Sequence, residues 1–504
     1  MDILHNVFYG FSIVLEPINI LYCFIGVLIG TLVGVLPGIG PTATISLLLP
    51  ITFKVTPVSA MIMLAGIYYG SQYGGSTTSI LVNIPGEASS VITCLDGYQM
   101  ARKGRAGPAL GISAFGSFIG GTLAVVGLML IAPPLASISL KFGPPEFFSL
   151  MCLGLTLLAY LASGSLVRAF MMGAFGIIIG CIGQDPFTGL PRFTFGVPDL
   201  LDGVGLVPIV MGLFGISEVF LNIEKGSGER KIFETKIKGL LPNLQDWKDS
   251  FKPILRGTFL GFSLGIIPGG GPTIASFTSY ALEKKFSKHP EKFGAGAIEG
   301  VAGPETANNA ASGGAFIPLL TLGIPPNVVM AVFLGALMIC GVTPGPLLIQ
   351  KNPDIFWGVV VSMYVGNVML VILNLPLIGL WVQVLKIPYR ILFPLILFFC
   401  LIGAYSLNNS TFDLGIMLLF GVLGYLMRKY HYEGAPFMLA YVVGPMLEFS
   451  LRQSLLMSEG SFFIFFYRPI ACGAMILIFL VLISSLFPVI KKKRKAISME
   501  EEKT

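Results

Sequence analysis

The sequence predicts an all-α polytopic membrane protein built from two inverted structural repeats. Each repeat is expected to hold a re-entrant helical hairpin and an interrupted transmembrane helix, with about eleven crossings plus the two hairpins in all. Three observations carry this. The 504 residues are 54% hydrophobic and only 12% charged, with a mean hydropathy of +0.83, against roughly 25% charged in soluble domains. The 62 glycines and 34 prolines fall inside apolar stretches rather than in polar tracts, which sets aside disorder, collagen and a soluble enzyme. The third observation is an internal repeat.

That repeat is read directly from spacing. Gly26, Gly30, Gly34, Pro37, Gly38, Gly40, Pro41 and Thr42 recur as Gly257, Gly261, Gly265, Pro268, Gly269, Gly271, Pro272 and Thr273, each 231 positions later. A second pairing, Gly74, Gly75 and Ile84-Pro85 with Gly313, Gly314 and Ile324-Pro325, follows at offsets near 239. Each half therefore carries two Gly/Pro breaks within apolar sequence. Residues 223–253 hold seven basic and five acidic residues and divide the halves as a solvated connector. The expected organisation is an N-terminal repeat over 1–222, this cytoplasmic linker, a C-terminal repeat over 254–460, an extra helix over 461–490 and a basic cytoplasmic tail over 491–504.

Length decides what the first break is. The arm from Thr42 to Phe53 has 12 residues, about 18 Å of helix against a hydrocarbon core of ~30 Å, so it cannot cross. A re-entrant hairpin with LPGIGPT at its buried tip is predicted, and a second with IPGGGPT. Non-helical backbone at that depth is tolerated only against protein or a watery cavity. If the first hairpin opens outside and 58–85 forms one interrupted span, all but six of the 32 Lys and Arg lie inside. The six are Lys54, Lys141, Arg192, Lys351, Arg452 and Arg468. The positive-inside rule then places the N-terminus in the periplasm and the C-terminus in the cytoplasm, provided 327–349 makes no crossing of its own. An odd number of crossings between the hairpins inverts the halves, as in many secondary transporters.

The tips have a chemistry of their own. Pro at a first helical position after a Gly-rich turn, then Thr, marks a helix start at Pro41-Thr42 and Pro272-Thr273. Uncapped N–H groups and the aligned peptide dipoles attract an anion without any Lys or Arg. The GxxxGxxxG faces at 26–34 and 257–265 are expected to serve close helix packing instead. The second breaks are polar where lipid demands otherwise. Ser71, Gln72, Ser76, Thr77, Thr78 and Asn83, with Thr306, Asn308, Asn309 and Ser312, offer hydroxyl and amide groups, and unwound carbonyls there could coordinate Na⁺. Each single hydroxyl can equally bond its own helix. Glu299 and Glu305 are costly in apolar surroundings unless paired or wet, so either is a proton-relay or structural candidate. Glu218 and Glu448 are expected at interfaces.

The expected substrate-binding set is thus Gly38, Gly40, Thr42, Gly74, Gly75, Ser76, Gly269, Gly271, Thr273, Asn308, Asn309 and Gly313. The expected cation-binding or proton-relay set is Ser71, Thr77, Asn83, Glu299, Glu305, Thr306 and Ser312. Seven scattered cysteines and three distant histidines form no disulfide, zinc or triad pattern. IPGGGPT lacks the GK[ST] ending of a P-loop, so ATP is not the direct drive. The N-terminus lacks a basic leader before its apolar run, so no cleaved signal peptide is expected. No enzyme chemistry, cofactor or nucleic-acid partner is expected beyond Na⁺ or H⁺ as coupling ion.

LPGIGPT, YYGSQYGGS, NIPGE, DGYQMARKG, PGGGPTIASF and FGAGAIEGVAGPETANNAASGGAFIPLLTLGIPPN resemble the large membrane subunit, the TctA family, of bacterial tripartite tricarboxylate transporters, over about residues 10–480. The resemblance implies a bacterial inner-membrane protein importing citrate or another carboxylate. It implies work with a small membrane subunit and a periplasmic solute-binding protein, driven by an ion gradient. Symport is the expected mode, and a passive carboxylate channel is the alternative.

Overall fold

The computed structural model describes residues 3–36, 40–52, 54–161, 165–225, 239–385 and 389–486. Gly38, most of the 223–238 part of the connector and the 491–495 basic cluster lie outside the described residues. The chain is a bundle of α-helices, with one two-residue strand pair joining Gly183–Gln184 to Pro191–Arg192. Seven helices among the described residues are long and apolar enough to cross a membrane, beginning with Pro17–Val35 and ending with Gly434–Met457. Shorter apolar helices of 12 to 16 residues or so fill the remainder, including Ile3–Val14 ahead of the first hairpin. Stretch 327–349 contributes the 12-residue helix Val328–Ile339, too short at about 18 Å to span the core, and the start of the four-residue helix Leu348–Lys351.

Two helical arms flank each expected hairpin tip: Pro17–Val35 with Gly40–Thr52, and Leu244–Ile266 with Gly271–Phe286. The second begins at Leu244 because Asn243 and Asp246 form a capping box, so part of the expected connector loop is helix.

In each half the outgoing arm lies against a helix of the second break. A Cβ at Gly26 or Gly34 would overlap the carbonyl oxygens of Met63 or Ser71, and one at Gly257, Gly261 or Gly265 those of Gly303, Ala307 or Ala311. The GxxxGxxxG faces are helix-packing faces, as expected, because only hydrogen lets two backbones approach this closely.

The second breaks fall within the expected segments 68–87 and 301–327, toward their C-terminal ends. Pro57–Val82 runs as one helix through Tyr68–Gly75, and unwinding begins only at Asn83, which ends it in a left-handed conformation at φ 57°. Glu299–Gly314 ends on its Gly-Gly pair, and after Ala315 the chain resumes as Phe316–Leu322, ending at Gly323. The glycine pairs stay helical because they are contact points: Gly74 faces the Thr31 carbonyl, Gly313 the Ala124 side chain. The carbonyls of residues 71–78 are therefore spent within a helix and are not open to a cation.

These two polar helices are the most deeply buried in the molecule. Every residue from Ser59 to Leu81 and from Gly300 to Gly314 is buried. Back-bonding makes this tolerable: Ser71 and Ser79 donate to the carbonyls of Tyr68 and Gly75, and Thr306 and Ser312 to those of Ala302 and Asn308.

A loop clip closes one face. Asp185 accepts from the backbone N–H groups of Phe187 and Thr188 at 2.8 and 2.9 Å and from Arg452 at 2.7 Å. Arg192 joins Glu448 at 2.6 Å. The Thr188 amide first, then the Phe187 amide and Arg452, hold the Asp185 carboxyl well below the usual carboxylate range against opposing desolvation.

Two predictions follow from the packing and the clip. Gly261→Val should cost about 3 kcal/mol or more by forcing the helices apart, whereas Gly173→Ala, with nothing within 4 Å, should leave the detergent-solubilised unfolding midpoint unchanged or raised. Because folding lowers the Asp185 value, its contribution is complete above the unfolded carboxyl value of about 4 and declines as pH falls through and below it. Unfolding midpoints measured from pH 7 down to 3 should therefore fall less steeply in Asp185→Asn than in the wild type.

Candidate functional site

The two hairpin tips meet at one cavity of about 700 Å³. Gly40, Pro41 and Thr42 line it from the first hairpin, and Gly269 to Thr273 from the second. Residues 85–89, from the unwound segment after Pro57–Val82, form another wall, and Tyr68 and Gln72 reach it from that helix. Asn327, Val328 and Val329 complete the wall, and Glu218 and Arg428 line it as an ion pair.

The tips share a backbone conformation. Gly40 has φ 65° and its repeat counterpart Gly271 has φ 58°, a left-handed geometry that costs other residues about 1–2 kcal/mol. In each, the next residue is the Pro that opens the helix. Gly270 gives the second helix no side-chain cap, so the first-turn N–H group of Thr273 has neither an intrahelical nor a capping side-chain acceptor. The second tip is anchored elsewhere: the Gly269 N–H donates to the Pro326 carbonyl at 2.8 Å. A third helix, Val328–Ile339, starts at the same cavity. Its cap Asn327 accepts from the Met330 N–H at 3.0 Å and donates to the Tyr68 hydroxyl at 3.1 Å. Three helix N-termini thus border one space, each carrying about half a positive charge.

The expected site residues divide into two groups. Gly40, Thr42, Gly269, Gly271 and Thr273 lie together on the cavity. Gly74, Gly75, Ser76, Asn308, Asn309 and Gly313 lie in helices behind it, with Ser71, Thr77, Thr306 and Ser312. Asn83 is exposed at its helix end, and Glu299 is half-buried in the first turn of its helix.

Glu305 organises that second layer. It is fully buried and accepts from Ser76 and Thr93, with Asn308 at 3.4 Å. Asn309 donates to Ser117 at 2.8 Å. These bonds tie the two polar helices to each other and to the helices Val91–Arg102 and Ala106–Ser139.

Sequence reasoning missed Tyr68, Glu87, Asn327 and Arg428 as cavity residues. Glu87 carried a signal, being an acid directly after the helix-breaking Ile84-Pro85-Gly86. Tyr68 and Arg428 carried none, because only the packing of distant segments brings them to the cavity.

Asp96 fastens the scaffold. It is fully buried and accepts from the N–H groups of Gly294, Gly296 and Ala297 at 2.7–2.9 Å and from the Tyr280 hydroxyl at 2.9 Å. The second hairpin and the segment preceding Glu299–Gly314 are thereby joined to Val91–Arg102. Asp96→Ala strands four donors and should cost about 3 kcal/mol or more, with Asp96→Asn, which keeps one acceptor oxygen, falling between it and the wild type in thermal unfolding.

The chain is 52% identical over 502 residues, the full length of both, to an Agrobacterium vitis protein described as an uncharacterized 52.8 kDa protein in the TAR-I ttuC' 3'region. It is 51% identical over 242 residues to a second A. vitis protein, from the TAR-II ttuC' 3'region, covering 48% of this chain and all of that one. No solved structure matches. Residues 20–439 match the profile of the tripartite tricarboxylate transporter TctA family. The chain therefore belongs to that family, the large subunit of the tripartite tricarboxylate transporter.

Proposed function

We propose that this chain is the transport-competent subunit of a secondary active importer for citrate or a related carboxylate, energised by cotransport of Na⁺ or H⁺. The observation that carries the reading is the convergence of two like-shaped hairpin tips and a third helix start on one cavity. A volume of about 700 Å³ falls within the range of small-molecule sites, about 300–1,000 Å³. Helix N-termini favour anions and fix their carboxylates by N–H donation.

The energetics ask for a cation. Carrying a trianion into a cell at ~100 mV, inside negative, costs about 7 kcal/mol. Co-bound positive charge offsets that cost. Substrate reaches the chain from a periplasmic solute-binding protein, and a small membrane subunit completes the assembly in the inner membrane. In this reading the halves are inverted repeats and the N-terminus is periplasmic. The cavity's Glu218–Arg428 pair then belongs to the cytoplasmic side, so that the conformation is inward-facing.

The test is uptake of radiolabelled citrate and related carboxylates into proteoliposomes holding both membrane subunits, with binding protein outside and Na⁺ and pH gradients varied separately. Accumulation above the external concentration is expected only with a cation gradient. Equal uptake without either gradient would convert the reading to a passive channel. Thr273→Asp supplies a sharper probe, because a carboxylate at a helix N-terminus is stabilising by about 0.3–1 kcal/mol yet occupies the anion's place. Its unfolding midpoint should be unchanged or raised while uptake falls more than tenfold.

A further inference from the structure

One carboxylate on the cavity wall lacks a complete set of partners. Glu87 follows the break at Ile84-Pro85-Gly86 and lines the same cavity as the two tips. Its Oε2 accepts from Gln72 Nε2 at 2.8 Å, the Ser71 hydroxyl stands beside the same carboxylate, and Ser89 donates to Gln72 Oε1 at 2.7 Å, which fixes the amide's orientation. The other oxygen, Oε1, is buried with no hydrogen-bond partner. Behind it stands Glu305, fully buried and bonded only to neutral donors.

Charge is unbalanced here. Among the described residues neither carboxylate has a Lys or Arg within ion-pair distance. Tyr68 beside Glu87 and Cys94 beside Glu305 are further titratable neighbours, and Glu218, Arg428 and Glu433 line the same cavity elsewhere. A buried, unpaired carboxylate oxygen is strongly unfavourable unless a cation or proton joins it, and a second acid nearby sharpens that demand.

We infer that Glu87 Oε1 is the docking point of the coupling cation, Na⁺ or a proton, with Glu305 behind it enlarging the site's demand for positive charge. The inference rests on reading the cavity as a carboxylate site. Coupling then has a direct physical form. A bare Glu87 repels an incoming carboxylate across the shared cavity, whereas a Glu87 that holds a cation does not. Anion and cation therefore strengthen each other's binding by the same factor, as linkage requires. Na⁺ would recruit oxygens of the carboxylate, amide and hydroxyl kinds present at Glu87, Gln72 and Ser89.

The complete transporter, both membrane subunits together, tests this with two probes that need no substrate. Equilibrium binding of ²²Na⁺ is measured for the sodium arm, and the protonated-carboxyl band in pH-difference infrared spectra for the proton arm. The wild type should show one of the two signals, and Glu87→Gln should lose it by tenfold or more. Citrate counterflow, which needs no net cation movement, should become indifferent to Na⁺ and pH in Glu87→Gln. Glu87→Asp should retain the signal with a shifted midpoint, and it serves if the Gln variant does not fold. The inference is overturned if Glu87→Gln keeps the wild-type response to both ions. It is equally overturned if neither signal exists in the wild type, or if a monodisperse Glu87→Gln loses counterflow altogether, since that describes a substrate or packing role. A wild type that fails to exchange carboxylate but loses ²²Na⁺ binding in Glu87→Gln would retain the cation site and reject the carboxylate reading instead.

Discussion

Every backbone N–H and C=O in this chain that sits away from water must find its partner within the protein, and the structure is organised around that requirement. Helices satisfy it along their length and fail at their ends. Ends at membrane depth are thus possible only where other protein or a wet cavity surrounds them. The chain gathers several such ends, at Gly40, Gly271, Asn327 and Asn83–Glu87, around a single space. What looks like a structural liability is, in the proposed function, the binding surface.

The same requirement explains why the most polar helices are innermost. Lipid supplies no hydrogen bonds, so a helix carrying Ser71, Gln72, Ser76, Thr306, Asn308 and Asn309 must be enclosed. Enclosure is achieved by glycine: the hairpin arms have bare faces at Gly26 to Gly34 and Gly257 to Gly265 that admit these helices at backbone contact. Hydroxyls then turn back onto their own carbonyls, and the side chains left over bond across helices to Glu305 or Ser117. Packing and polar satisfaction are one design, since loosening the glycine contacts would strand the buried donors.

Placing dipoles rather than lysines at the tips has a functional logic. A fixed cation deep in the protein would bind a carboxylate tightly and carry its own desolvation penalty. Half-charges from helix termini are built from backbone already paid for by the fold, and they leave the site's net charge to be set by what else binds. With Glu87 on the same wall, the proposed anion site would have an affinity conditional on a positive partner. The Glu218–Arg428 pair, half-exposed on its arginine side, holds the cavity's guanidinium in a neutralised state.

The sequence by itself determined the membrane setting, the duplicated breaks and the helix starts at Pro41 and Pro272, because these depend on local length, apolarity and the φ restrictions of Gly and Pro. The recurrence at 231 positions also pointed to equivalent tips, and Gly40 and Gly271 take matching left-handed conformations. It bracketed the second breaks within 68–87 and 301–327, and the structure narrows the first to 83–87 with Gly74-Gly75 helical. A glycine pair weakens a helix in isolation, but a neighbouring backbone at contact distance holds it helical, and that neighbour lies far away in the chain. For the same reason only the tertiary structure could bring Tyr68, Glu87, Asn327 and Arg428 to one cavity, and move Ser76, Asn308 and Asn309 behind it. Local chemistry writes the ends of helices into the chain, whereas which ends share a space is decided by how close two remote backbones can come.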